Sequence, residues 1–151
     1  MRNFLKTTIL MCLMLMFSMN IAAQKTTKQY DWSKVINAII QVESGGNPNA
    51  YNPNGDCAGI LQITPILVRE CNQILEKKKS TKRYTYKDRY NVKKSKEMFI
   101  LIQEYHNPTN DIEKAIKCWN CGSFYVKGDG WKQKSVDYYN KVMKYYNNGG
   151  K

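Results

Sequence analysis

Gln41-Val42-Glu43-Ser44-Gly45-Gly46-Asn47-Pro48 closes one segment and opens another. Before it, Trp32, Val35, Ile36, Ile39 and Val42 recur at helical spacing. That spacing predicts a helix capped by Asp31 and running to about Glu43. Ile36 and Ile39 lie seven and four positions before Glu43, so the acid shares the apolar face. Gly45-Gly46 stops the helix, and residues 44–62, rich in Gly, Asn and Pro, read as a loop with room for a little β structure. A carboxylate on a greasy face, followed at once by a break and a long loop, is the feature that the rest of the chain must explain.

Outward from this stretch the pattern stays helical, with no repeat and no alternating strand signal. Thr64 is a helix cap with Pro65 at the first helical position, and Leu67, Cys71, Ile74 and Leu75 make the following stripe. Lys77 to Arg89 is a basic connection, seven Lys and Arg against one acid, with Tyr84 and Tyr86 in it and Tyr90 next. A helix is expected from about Asn91 to Tyr105 with Val92, Phe99 and Ile102 inward, stopped by Asn107-Pro108. Asn110 with Glu113 reads as a capping box, opening a short helix that carries Ile112, Ala115, Ile116 and Trp119. Residues 121–134 form a second Gly-rich loop, and Ser135 caps a last helix with Tyr138, Tyr139, Val142 and Tyr146 on one side. The expected fold class is all-α, with minor β in the loop after the first helix and a cleft for substrate. Two long loops in so small a domain point to function.

The ends add a compartment. Arg2 and Lys6, the apolar run Ile9–Phe17 and a cleavage site at Ile21-Ala22-Ala23 have the form of a secretory signal peptide. The run is short for a membrane span of about 20 residues. The expected organisation is therefore a signal over 1–23, a linker over 24–30, the catalytic-type domain over 31–147 and a flexible tail over 148–151. The protein is expected to be exported, periplasmic or extracellular, with no stable membrane span after cleavage. Two of its 24 basic residues lie in the signal, so the net charge of the remainder is +10 rather than +12. A basic exported chain favours an anionic partner such as cell-wall polymer; export argues against nucleic acid. Four cysteines remain beyond Cys12, namely Cys57, Cys71, Cys118 and Cys121, which permits two disulfides in any of three pairings. Cys118 and Cys121 form a C-x-x-C at a helix end rather than after a βαβ strand, and Cys57 and Cys71 are too far apart to complete a zinc site. Neither metal nor cofactor is expected.

Burial of a carboxyl against apolar neighbours disfavours its charged form and raises its pKa. A glutamic acid that keeps its proton near neutral pH can act as a general acid. Glu43, backed by its stripe and opened in front by Gly45-Gly46, has that form. The single histidine, His106, stands beside a helix end, which makes a Ser–His dyad with Ser44 implausible.

The residues around Glu43 resemble a known family. Glu43-Ser44-Gly45-Gly46-Asn47-Pro48, then Gly59-Ile60-Leu61-Gln62-Ile63-Thr64-Pro65, is similar to the E-S-G-x-N-P and G-L-M-Q-I-x-P segments of the soluble, goose-lysozyme-like lytic transglycosylases. Ala115 to Gly122 resembles, in degraded form, the A-L-A-A-Y-N-A-G motif; Asn91-Val92 and Tyr138 to Val142 resemble further helix segments. The match spans about residues 31–146.

The resemblance implies a lysozyme-like helical domain that cleaves the bond between N-acetylmuramic acid and N-acetylglucosamine in peptidoglycan. The product would be a 1,6-anhydro sugar, with Glu43 as acid and then base. It implies cleft roles for Gln62 and Asn120. Trp119 stands where the family has a tyrosine whose hydroxyl meets the catalytic acid, and Tyr138 is the candidate to supply a hydroxyl instead. Ser44 completes the candidate binding set and is expected to fix the loop rather than attack. Asp56, in a loop that is a residue longer than the family's, is the candidate second carboxylate of a water-using muramidase. A wall-binding component that has lost activity is the other alternative, and secretion or conjugation machinery is a candidate partner.

Overall fold

In the computed structural model, residues 29–122 and 131–149 are described. The expected signal, most of the linker, much of the second Gly-rich loop and the end of the tail lie outside them. Contacts divide the chain into Met1–Tyr30 and Asp31–Lys151, and the second unit holds all the regular structure below. Its helices are α1 (Ser33–Ser44), α2 (Pro65–Lys77), α3 (Val92–His106), α4 (Ile112–Cys121) and α5 (Gln133–Asn147). A two-stranded antiparallel hairpin, β1 (Tyr51–Asn52) and β2 (Cys57–Ala58), fills the loop after α1, pairing Tyr51 with Ala58 and Asn52 with Cys57. A 3₁₀ turn, Tyr86–Tyr90, lies within the basic connection. The all-α expectation with minor β in the first loop holds.

Local chemistry sets the boundaries. Asp31 Oδ1 accepts from the Ser33 amide at 2.9 Å, and α1 ends at Gly45, whose φ of 60° lets its N–H return to the Gln41 carbonyl. Thr64 Oγ1 accepts from the Leu67 amide at the start of α2, with Pro65 at the position that needs no donor. Asn91 caps α3 in the same way.

Three expected caps are corrected. Trp32, not Asp31, holds the N-cap position of α1, and it makes no side-chain cap bond. α4 is capped by Asp111, which accepts from the Lys114 amide, while Asn110 adopts a left-handed φ of 54° just before it. α5 begins at Gln133, and Ser135 is a buried residue inside it rather than its cap. Val92, expected inward, is exposed on the first turn of α3.

The core gathers one face from every helix: Val35, Ile36 and Ile39 of α1, Val68 and Ile74 of α2, Met98, Phe99 and Ile102 of α3, Ile116 of α4 and Val142 of α5. Leu61 and Ile63, from the loop after β2, are fully buried among them. Trp32 and Trp119 both pack on Phe99, at centroid distances of 5.8 and 4.9 Å. α5 lies against both α1 and α4, which brings Tyr138 over the end of α1.

The expected disulfides are not formed: Cys57, Cys71, Cys118 and Cys121 are all free thiols. Cys71 is buried with its thiol toward the Met98 carbonyl, and Cys118 is buried in α4. Burial pushes each of these two thiols up to about 12. Among the described residues no helix is long and apolar enough to cross a membrane.

Candidate active site

α1 delivers Glu43 to the loop side of the domain, half-buried, one turn after Ile39 and Ile40 have entered the core. From α5, the buried Tyr138 hydroxyl donates to Glu43 Oε1 at 2.5 Å. Burial pushes the Glu43 carboxyl above the usual range, and the Tyr138 hydrogen bond, which favours the ionised form, opposes this without reversing it. Tyr138 itself is held in its neutral, donating form by burial and by the neighbouring carboxylate. The acid is thus oriented by a donor that does not compete for its proton.

The cleft in front of Glu43 has a volume of about 590 Å³, within the ordinary range of small-molecule sites. Its floor is Gln62, carried by the segment Gly59–Ile63, which is fastened largely through its carbonyls. Ile60 O accepts from Ser44 Oγ at 2.9 Å, Leu61 O from Trp119 Nε1 at 3.2 Å, and Ile63 O from Arg89 Nη1 at 3.2 Å. Gly59 O accepts from Gln62 Nε2 at 2.9 Å, and the same amide reaches Ala50 O at 3.3 Å. Gln62 holds a left-handed φ of 48° to turn the chain there. A Cβ on Gly59, at φ 76°, would stand 1.8 Å from the Arg89 carbonyl oxygen. Only glycine fits, which gives the first residue of Gly-Ile-Leu-Gln-Ile-Thr-Pro a physical reason.

Of the residues singled out in the sequence, Glu43, Gln62, Trp119 and Asn120 line this one cleft. Tyr138 stands behind Glu43. The others are placed differently. Ser44 uses its hydroxyl on Ile60 O, beneath the loop, and is not among the lining residues. Asp56, at a left-handed φ of 47°, pairs with Arg89 at 3.1 Å and also lies outside the lining. Arg89 is 7% exposed and bonds the Asp56 and Tyr86 carbonyls as well. Through Arg89, Asp56 fastens the hairpin to the 3₁₀ turn. Trp119 is at once core, through Phe99, and cleft wall.

A family model for the transglycosylase SLT domain matches residues 20–144. The chain belongs to that family. No curated protein and no solved structure matches it. Membership supports, at family level, peptidoglycan cleavage of the lytic transglycosylase type. The helical fold with its small hairpin is that of a lysozyme-like SLT domain. In this SLT domain, the hydroxyl against Glu43 comes from the closing helix, and the indole at position 119 turns its donor to the floor instead.

The sequence reading missed several residues of the SLT cleft. Ile66, Leu67 and Glu70 line it from α2, Cys57, Cys118 and Cys121 from the hairpin and α4, and Lys134 from α5. Glu70 Oε1 lies 2.6 Å from His106 Nε2. Burial and the nearby Glu43 charge push the Cys57 thiol up, so it is not a nucleophile in waiting. The helical spacing of Ile66, Leu67 and Glu70 was available in the sequence; their common direction toward Glu43 was not. Among the described residues, no cluster of His, Cys, Asp and Glu is placed to hold a metal.

Proposed function

We propose that this protein is an exported lytic transglycosylase with Glu43 as its catalytic acid and base. On this reading residues 1–23 are the export signal and 31–147 the catalytic unit. The observation that carries it is the half-buried Glu43 carboxyl, raised by burial, oriented by Tyr138 and open to a cleft of sugar size. In the first step, the Glu43 proton passes to the glycosidic oxygen as the C1–O bond of the muramyl residue breaks. In the second, the Glu43 carboxylate takes the proton of the muramyl 6-hydroxyl while that oxygen bonds to C1. The acid returns to its starting state, the product carries a 1,6-anhydro ring, and no water is consumed.

Gln62 and Asn120 stand in the cleft as polar contacts for sugar, and Trp119 offers an aromatic face. Ser44 acts through the floor it holds. The +10 charge beyond the signal favours retention on an anionic wall, weakening with salt. A water-using mechanism through Asp56 finds no support in a carboxylate held by Arg89 away from the cleft.

Digestion of purified peptidoglycan by the wild type and by Glu43→Gln, with product masses, tests the proposal. Anhydro-muramyl ends from the wild type and a loss of at least about 10³-fold in the variant are expected. Reducing ends, one water heavier, would replace the transglycosylase by a hydrolase. Undiminished binding with no cleavage by the wild type would leave a wall-binding protein.

A further inference from the structure

The cleft holds a second carboxylate that the acid–base cycle of Glu43 does not use. Ile66, Leu67 and Glu70 are spaced i, i+1 and i+4 on α2, which sets them on one helical face, and all three line the cleft. The face runs from two apolar side chains to an acid. Ile66 is 66% exposed although it is apolar; it meets solvent and cleft rather than core.

Glu70 is fixed rather than loose. Its Oε1 lies 2.6 Å from Nε2 of His106, whose side chain is 15% exposed and whose ring stacks edge-on against Tyr105 at 4.8 Å. Lys114 Nζ donates to the His106 carbonyl at 3.2 Å and ties the end of α3 to α4. The Glu70 side chain remains 38% exposed, and its Oε2 has no hydrogen bond among the described residues. A carboxylate that lines the cleft and is held by one oxygen leaves the other to accept from a donor that arrives with a ligand.

From this placement we infer that Ile66, Leu67 and Glu70 form a subsite for the peptide branch of the wall polymer, in which Glu70 binds a primary ammonium group of that peptide. This rests on the proposed peptidoglycan activity. The muramyl residue that meets Glu43 is also the residue that bears the peptide, so a peptide subsite must adjoin the acid. The α2 face offers apolar contact followed by an anionic acceptor, which matches a short peptide with an amine-bearing side chain. Glu70 is a specificity residue in this scheme, outside the proton transfers.

Three substrates separate the possibilities: intact peptidoglycan, peptidoglycan with its free amines acetylated, and glycan strands stripped of peptide by an amidase. Glu70→Gln, which keeps an oxygen for His106, is expected to raise KM on intact wall about fivefold with kcat nearly unchanged. It should match the wild type within twofold on the other two substrates. The wild type should lose a similar factor when the amines are acetylated. Glu70→Lys should lose more than Glu70→Gln on intact wall alone. Equal losses of Glu70→Gln on all three substrates, or none on any, would overturn the inference while leaving Glu43 as the acid. A wild type inactive on all three would overturn the proposed function, and this subsite with it.

Discussion

The floor of the cleft and its α2 wall are fastened in different ways. Along Gly59–Ile63 the backbone itself is the fastening point. Four carbonyls accept from Gln62, Ser44, Trp119 and Arg89, and the one glycine has a carbonyl where its Cβ would be. Along Ile66–Glu70 the backbone is in the opening turns of α2, with the Leu67 amide capped by Thr64 Oγ1, and Ile66, Leu67 and Glu70 line the cleft from that helix. At Gly59 the floor is therefore a matter of geometry, with little tolerance for a change of residue. The wall is a matter of surface chemistry, free to differ without disturbing the fold. On the proposed function, position of the reacting sugar would belong to the first and choice of substrate to the second.

The largest test of this contrast is at Gly59. Gly59→Ala puts a methyl carbon against the Arg89 carbonyl and asks alanine to hold a φ of 76°. Neither neighbour is the flexible end of a side chain, so the hairpin must separate from the 3₁₀ turn. A loss of about 3 kcal/mol is expected, visible as a melting temperature ~10 °C lower and as lost activity. A variant that melts with the wild type would show that the floor can shift and that the contrast is wrong.

Tyr138→Phe comes next, and it acts on the residue between the two regions. The Tyr138 hydroxyl favours the ionised form of Glu43; without it, the carboxyl is raised further by the burial that remains. On the proposed mechanism Glu43 must be protonated to begin the cycle, so activity should be lost as pH rises through its pKa. The alkaline limb of the kcat profile should therefore move to higher pH in Tyr138→Phe. At the optimum, kcat should fall about tenfold as one hydrogen bond worth about 1.4 kcal/mol of orientation is lost. A limb that moves to lower pH would mean that Tyr138 holds the protonated form and that burial is not the dominant cause.

The same division explains what could be read from the chain in advance. Glu43 was legible because its apolar stripe is local and periodic. The floor was legible through its resemblance to a family motif, and Gly59 is the residue of it whose type the packed backbone dictates. Caps were legible only to within a residue or two: Asn110 and Asp111 are both good caps, and only the left-handed backbone of Asn110 decides between them. Ser135 reads as a cap by type, yet α5 starts two residues earlier and buries it. Asp56 looked like a free acid because its partner, Arg89, lies 33 residues away in a segment that reads as a basic linker. Glu70 went unread for the mirror reason. Its partner is 36 residues away, and an acid beside a helical stripe has no local sign that a cleft lies before it.

The smallest expected effect on the fold is at Ile66, and for that reason it tests the wall most cleanly. Ile66 follows Pro65 in the first turn of α2 and is 66% exposed. Ile66→Ser removes little buried area and puts a residue tolerated near helix starts in its place, so stability should stay within about 0.5 kcal/mol. If the wall meets substrate, KM on intact peptidoglycan should still rise about two- to threefold, the consequence of losing one half-exposed apolar contact. kcat should not move, since the floor and Glu43 are untouched. A fall in kcat at constant KM would instead join the first turn of α2 to the geometry of the floor, where Thr64 is the shared residue, and the two regions would then act as one.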